Sequence, residues 1–486
     1  MQARNCKTEK FGSFTRFLLA HRTAVLIILL VALSGRMVLT FRFPLLAPDE
    51  MRYTVPAVNI LAGHGFSAFG REPYRPTEHA MPLYPIFIAG IYAVFGQNNL
   101  AVRIAQDLMD LLTCLLAAFV SFNLAPMSLR NLAAISSLAI YGFLSWFTIY
   151  WTRFVLTEPL ALFLTMLAIT AAVLALQKRW PWWVAGGVCG LALLTRADSI
   201  LLIGAFGLFL IVQIARTRSF ASVGSLLGFS LAILLVLAPW IVRNYISLGN
   251  IQPLASEYGF TSDAYMPVGY LWWIRTWMTD ETYFRAFFPA FAPGDRSFDP
   301  HELPDRIFDS AEEKEHVFGV LAKYNETGRF TPEMSDEFGE IAKQRIKRAP
   351  LRFFVWLPIT RIGSVWSTSF STYHRPFRFL RILSVLPILV GGLLGLGLFA
   401  ANKPLNQLIV LLILTRTVFF GYFYAPEARY IVEAYPAMIA ACGVSVAASW
   451  RYLNRVLRAD RSPDLSPANT SAAEAGEDVA RNIAGD

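Results

Sequence analysis

Two adjacent carboxylates, Asp49 and Glu50, follow the first membrane-length apolar stretch of this 486-residue chain, in the run Pro48-Asp49-Glu50-Met51-Arg52-Tyr53. A carboxylate beside hydrocarbon loses roughly several kcal/mol of hydration unless it is paired, faces water or takes part in chemistry. Held in a partly dry cavity, such a group can take part in proton transfer, which makes Asp49 and Glu50 candidate catalytic residues. A helix opened by Pro48 with acids in its first turn is the plainer account of the same residues, and it is compatible with that use.

Further charges fall at the ends of apolar runs. Glu158 stands in Leu156-Thr157-Glu158-Pro159, Arg243 in Pro239-Trp240-Ile241-Val242-Arg243-Asn244, and Arg429-Tyr430 lies between Glu427 and Glu433. Arg103, Arg153, Arg196 and Asp198 hold similar positions. Each has an ordinary alternative: Thr-Glu-Pro opens helices, and an arginine at a span end snorkels to the interface. As a set they are candidates to line a site, with Glu158 as a third carboxylate and the cations Arg103, Arg196, Arg243 and Arg429, together with Tyr430 and His79, binding a phosphate or a sugar. His79 has no partners at metal-ligand spacing, so neither a metal nor any other cofactor is expected.

The elements that must position these groups are membrane spans. The chain is 55% hydrophobic and 16% charged, against about 25% charged in soluble domains. Uncharged runs over 111–129, 131–152, 159–177, 219–242 and 382–402 each approach or reach the roughly 17–25 residues that cross a bilayer. The expected architecture is all-α and polytopic, with about ten spans. The net charge of +9 sits mostly in short segments between apolar runs, where it sets topology; nucleic acid is not an expected partner. Cys114, Cys189 and Cys442 lie in apolar runs and Cys6 in the basic start, so no disulfide framework is implied.

With the basic segment 1–22 read as a cytoplasmic anchor, the clusters at Arg130, Lys178-Arg179 and Arg216 to Arg218 also fall on the cytoplasmic side. The charged candidates then face outward. This divides the chain into an N-terminal membrane module (23–247) whose first outer loop (44–81) carries the acidic motif, a large outer loop (248–349), a C-terminal membrane module (350–450) and a cytoplasmic tail (451–486). The tail, rich in Ala, Ser, Asp and Glu without apolar periodicity, is expected to be disordered. Short apolar helices after the first span are expected to lie in the membrane plane. The stretch 350–372, interrupted by Arg352 and Arg361 and studded with Trp356, Trp366 and Phe370, is read as interfacial.

The ordered set Pro48-Asp49-Glu50 with Arg52-Tyr53, Leu61-Ala62-Gly63-His64-Gly65-Phe66, Pro82-Leu83-Tyr84-Pro85, Phe95-Gly96 and Arg103 resembles the GT-C glycosyltransferases, in the bacterial branch near protein O-mannosyltransferases and the lipid A aminoarabinose transferase. Thr157-Glu158-Pro159, the run 190–196, Pro239-Trp240 with Arg243-Asn244, and Arg429-Tyr430 extend the resemblance over about 20–450. One departure is plain: where aminoarabinose transferases carry Lys-Pro-Pro-Leu, this chain has Ala80-Met81-Pro82-Leu83, which leaves the phosphate to other cations.

The resemblance implies a GT-C-like bundle of about 10–11 spans in the inner membrane. It also implies transfer of a hexose or pentose derivative from a polyprenyl-phosphate donor to a lipid, glycan or protein hydroxyl outside the membrane. A single base acting by direct displacement would invert the anomeric centre. The alternative class is a secondary transporter or flippase, whose charged residues gather near the bilayer midplane and not at span ends.

Overall fold

The computed structural model describes residues 12–255, 267–280, 297–299, 303–367, 375–423 and 427–459. The first eleven residues of the basic start, parts of the 248–349 region, positions 368–372 of the interfacial stretch and the tail from 460 lie outside them. Among the described residues regular structure is helical, apart from one isolated bridge between Ser67 and Pro76.

Among the described residues eight helical stretches are long and apolar enough to cross a membrane. They are Arg22–Arg42 (α1), Asn99–Leu124 (α4), Met127–Leu144, Glu158–Leu176 (α6), Ala197–Thr217, Phe220–Leu248 (α9), Lys403–Tyr422 (α15) and Ala428–Arg458. Within the third, the regular helix Arg130–Ala139 (α5) runs into a π-helical turn, Ile140–Leu144. Within the fifth and eighth, regular helix covers Ile200–Thr217 (α8) and Tyr435–Ala459 (α16).

Trp182–Thr195 (α7), expected as a span, has only 14 residues, yet it packs along both α6 and α9 in the bundle. Arg375–Leu394 (α14), prolonged by the turn Gly395–Phe399, packs against α16 in the same way. These two shorter helices join the eight membrane-length ones in the bundle, where about ten spans were expected. Met51–Leu61 (α2) and Leu83–Phe95 (α3) are too short to cross, as expected of helices in the first loop. Leu351–Ser367, whose final turns form α13 (Leu357–Ser367), is not among the membrane-length helices.

Sequence explains the local starts and close approaches. The Asn98 side chain accepts hydrogen bonds from the backbone N–H groups of Leu100 and Ala101, capping α4. Pro159 in the first turn of α6 has no N–H to leave unsatisfied there. The helices then meet through small residues. A Cβ on Gly186 would collide with the carbonyl of Phe229, which lets α7 lie directly on α9. A Cβ on Gly443 would stand 2.7 Å from the Ala133 carbonyl oxygen, where α16 crosses α5. Such small-residue contacts are how helices associate when lipid is as apolar as the side chains.

A polar seam runs inside the first spans. Arg36 Nη2 on α1 lies 2.6 Å from Asp110 Oδ2 on α4, and the Tyr141 hydroxyl donates to Asp110 Oδ1 at 2.7 Å. Thr40 donates to Asp107 at 2.7 Å, one turn away. The described part of the 248–349 region has a core of its own, in which Trp273 on Val268–Arg275 (α10) packs with Tyr270 and with Phe338 of Pro332–Arg348 (α12).

Candidate active site

Pro48–Glu50 forms a single tight turn that leads straight into α2, so Asp49 and Glu50 point in different directions. Glu50 turns inward. Its Oε1 accepts the Val155 N–H at 3.1 Å and lies 3.6 Å from Arg103 Nη2, while Arg103 also donates to the Leu45 carbonyl at 3.1 Å. This pair staples the acidic turn to α4 and to the loop before α6, and neither residue lines the cavity described next.

Asp49 faces a cavity of about 350 Å³. It is lined by Asp49, Arg52 and Tyr53 from the first loop, His79 from the segment before α3, Glu158, Arg196, Asp198, Arg429 and Tyr430, and also by the apolar Ile200, Phe419, Phe420 and Phe423, with Phe420 stacked on Tyr430. The structure thus brings seven of the sequence candidates together: Asp49, Glu158, Arg196, Asp198, Arg429, Tyr430 and His79. Arg243 stays outside. It donates to the Thr77 carbonyl at 2.7 Å and to the Phe66 carbonyl, with its guanidinium over the Trp240 ring, and so it holds the loop that carries His79.

Charges at the cavity and behind it alternate. Arg429 Nη1 donates to Asp49 Oδ2 at 3.0 Å, and its Nε lies 2.6 Å from Glu427 Oε2. Arg196 donates to Glu158 Oε1 at 2.9 Å and to Asp198 Oδ1 at 3.0 Å, and it also lies 3.0 Å from Glu433. Arg416, buried in α15, closes the back with Asp198 at 2.6 Å and Glu433 at 2.8 Å. Arg52 donates to the His79 carbonyl and so ties the start of α2 to the opposite lip. Among the described residues one oxygen of the buried Glu158 carboxylate, Oε2, has no hydrogen-bond partner, leaving it an available acceptor at the cavity wall.

Partial burial alone would raise the Asp49 carboxyl, but the charge and hydrogen bond of Arg429, helped by Arg52 and Arg196, outweigh it and hold the group below the ordinary carboxylate value. Asp49 is therefore ionised at neutral pH, paired with Arg429. Burial pushes Glu427 up, against the opposing charge of Arg429. Among the described residues no three His, Cys, Asp or Glu side chains are grouped to hold a metal ion.

Sequence reasoning passed over Arg416, although a single arginine inside Leu408 to Tyr422 carries a signal: an intramembrane charge is retained only where it pairs or works. Arg52 was noted in the motif but given no role.

Comparison with known proteins falls on this same region. Residues 75–242 match the family model described as dolichyl-phosphate-mannose-protein mannosyltransferase. The match covers part of the chain, from the loop before α3 to within α9, and takes in Glu158 and Arg196. No curated protein matches this chain. Among solved structures it is similar to ArnT from Cupriavidus metallidurans in the apo state, at 16% identity over 90% of this chain and 78% of that one, with a TM-score of 0.35. The same protein bound to undecaprenyl phosphate gives 16% identity over the same shares, with a TM-score of 0.34.

Proposed function

We propose that this chain is a membrane glycosyltransferase of the GT-C type, which moves a hexose or pentose derivative from a polyprenyl-phosphate donor to a hydroxyl of a lipid, glycan or protein, at the extracytoplasmic face of the inner membrane. The observation that carries the reading is one cavity lined both by guanidinium groups and carboxylates and by phenylalanines, which suits a ligand with an anionic head on an isoprenoid tail.

In this reading the acceptor oxygen attacks the anomeric carbon as Asp49 takes its proton. The new C–O bond forms while the bond from that carbon to the phosphate oxygen breaks, and the polyprenyl phosphate leaves as an anion. Because that leaving group is stable, the enzyme needs cations aimed at its developing charge more than it needs an acid, and Arg429 and Arg196 supply them. Direct displacement with one base inverts the anomeric centre. Glu158, fixed by Arg196, positions the guanidinium and offers its open oxygen to a donor hydroxyl. Glu50 and Arg103 set the direction of the acidic turn, and Arg243 secures the His79 loop. In this reading residues from both membrane modules inferred from sequence line the cavity, with Leu254 and Ala255 from the start of the 248–349 region beside them.

The test is release of free polyprenyl phosphate from a panel of synthetic polyprenyl-phosphate sugars by wild type and Asp49→Asn in membranes, with labelled transfer followed in parallel. Turnover of a donor by wild type, lost in the variant while the protein still folds, supports the proposal; equal turnover by both removes Asp49 as the base. A folded wild type that consumes no donor on the panel overturns the donor assignment.

A further inference from the structure

Arg429 is shared. Its Nε side lies against Glu427, which does not line the cavity and whose side chain is 11% exposed; its Nη1 side meets Asp49, whose side chain is 44% exposed on the open wall. The guanidinium is thus anchored from behind and engaged in front by the very carboxylate proposed as base. An incoming anion reaches the front of Arg429 through the same opening that exposes Asp49, and it competes with Asp49 for that edge. The planar fork of an arginine suits such an exchange, because carboxylate and phosphate oxygens present the same geometry to it.

We propose that Arg429 is an exchangeable lock on the base: it pairs with Asp49 in the empty site, passes its front edge to the donor phosphate on binding, and so releases Asp49 to accept a proton only when donor is present, with Glu427 as the positioning residue that keeps the guanidinium in reach of both. The inference deepens the donor assignment above and rests on it. Its consequence is economical chemistry: a carboxylate tied to a guanidinium is a poor base, and one freed from it is better, so proton removal is coupled to the arrival of the sugar that makes it useful.

The other groups around Asp49 do not duplicate this exchange. Arg52, at the start of α2, is occupied with the His79 carbonyl; Tyr53 is partly buried and packs edge-on against Tyr84; Arg196 is held by Glu158, Asp198 and Glu433. Partial burial and Arg429 act on the Asp49 carboxyl in opposite senses, and Arg429 prevails. Handing Arg429 to the donor removes the main depressing charge and leaves burial to act.

The experiment compares two pH profiles of the wild-type enzyme with one consumed polyprenyl-phosphate sugar. The acidic limb of kcat/KM reports the free enzyme and that of kcat the donor complex. The limb of kcat is expected about one pH unit above that of kcat/KM, the scale of an arginine's effect on a neighbouring carboxylate. Coincident limbs overturn the proposal with no variant needed, and they leave the donor assignment intact because turnover is the signal being measured. In Arg429→Gln the two limbs are expected to merge and donor KM to rise. Glu427→Gln is expected to raise donor KM about tenfold while kcat above the acidic limb stays within about twofold. A fall confined to kcat, or limbs that stay apart without Arg429, refutes the exchange.

Discussion

Arg416→Met is the substitution whose cost can be worked most directly from the structure. The guanidinium is 1% exposed, 2.6 Å from Asp198 and 2.8 Å from Glu433, and it donates through Nε to the Tyr430 carbonyl at 2.7 Å. Removing it leaves Asp198, Glu433 and Glu158 facing Arg196 alone. Breaking a buried ion pair by deleting one partner costs about 3–5 kcal/mol, whereas neutralising both partners costs far less. Arg196 still touches both acids, so a loss near 3 kcal/mol is expected for the single change. A second change, Glu433→Gln, on the Arg416→Met background removes the stranded charge and is expected to recover at least about half of that loss. Tryptophan fluorescence melts of the detergent-solubilised protein read both: a Tm lowered by several degrees in the single variant and partly restored in the double. A double variant that melts no higher than Arg416→Met alone refutes the charge-balance reasoning, and the loss must then come from packing or from the Tyr430 carbonyl.

Three further outcomes follow from the geometry. Asp49→Asn should lower kcat by about 10²-fold or more, the range of general-base catalysis, while Glu50→Gln, whose side chain serves Arg103 and the Val155 N–H, keeps turnover within several-fold and lowers Tm instead; donor consumption and melts on the same two preparations separate the roles. Gly186→Leu should reduce folded yield in membranes, because any Cβ there meets the Phe229 carbonyl and forces α7 off α9; size-exclusion profiles after solubilisation check it. Arg243→Ala should loosen the Phe66 and Thr77 carbonyls and with them the His79 loop, raising donor KM several-fold with kcat nearly unchanged in steady-state assays.

Much of the frame was readable because bilayer thickness imposes a length on apolar helices. The runs over 111–129, 159–177 and 219–242 overlap α4, α6 and α9 for that reason. The short α7 was also legible as a span, between the basic clusters on one side and Arg196 on the other. The site was legible in part. Charges at span ends stand out against apolar sequence, so Asp49, Glu158, Arg196 and Arg429 could be gathered without coordinates. Direction could not: Glu50 and Asp49 are neighbours, and only the tight turn decides that one faces the cavity and the other Arg103. Nor does sequence show which arginine is already engaged by backbone carbonyls, as Arg243 and Arg103 are. Asp107 and Asp110 lie one turn apart in an otherwise apolar helix, and their partners Thr40 and Arg36 come from a different span, so that seam needs tertiary structure to be seen.

The pairing of Asp49 with Arg429 joins residues 380 positions apart, and that of Asp198 with Arg416 joins residues 218 apart. A ribosome supplies the two sides of this cavity at opposite ends of synthesis. When α6, α7 and α8 have been inserted, Glu158 and Asp198 share one guanidinium, and the proposed base has no lock at all. Arg416, Glu427, Arg429 and Glu433 arrive only with the last two spans. Catalytic competence is therefore gained late and all at once, and a chain interrupted before α15 exposes unbalanced acids to the lipid, a mark by which membrane quality control could distinguish an unfinished enzyme from a finished one.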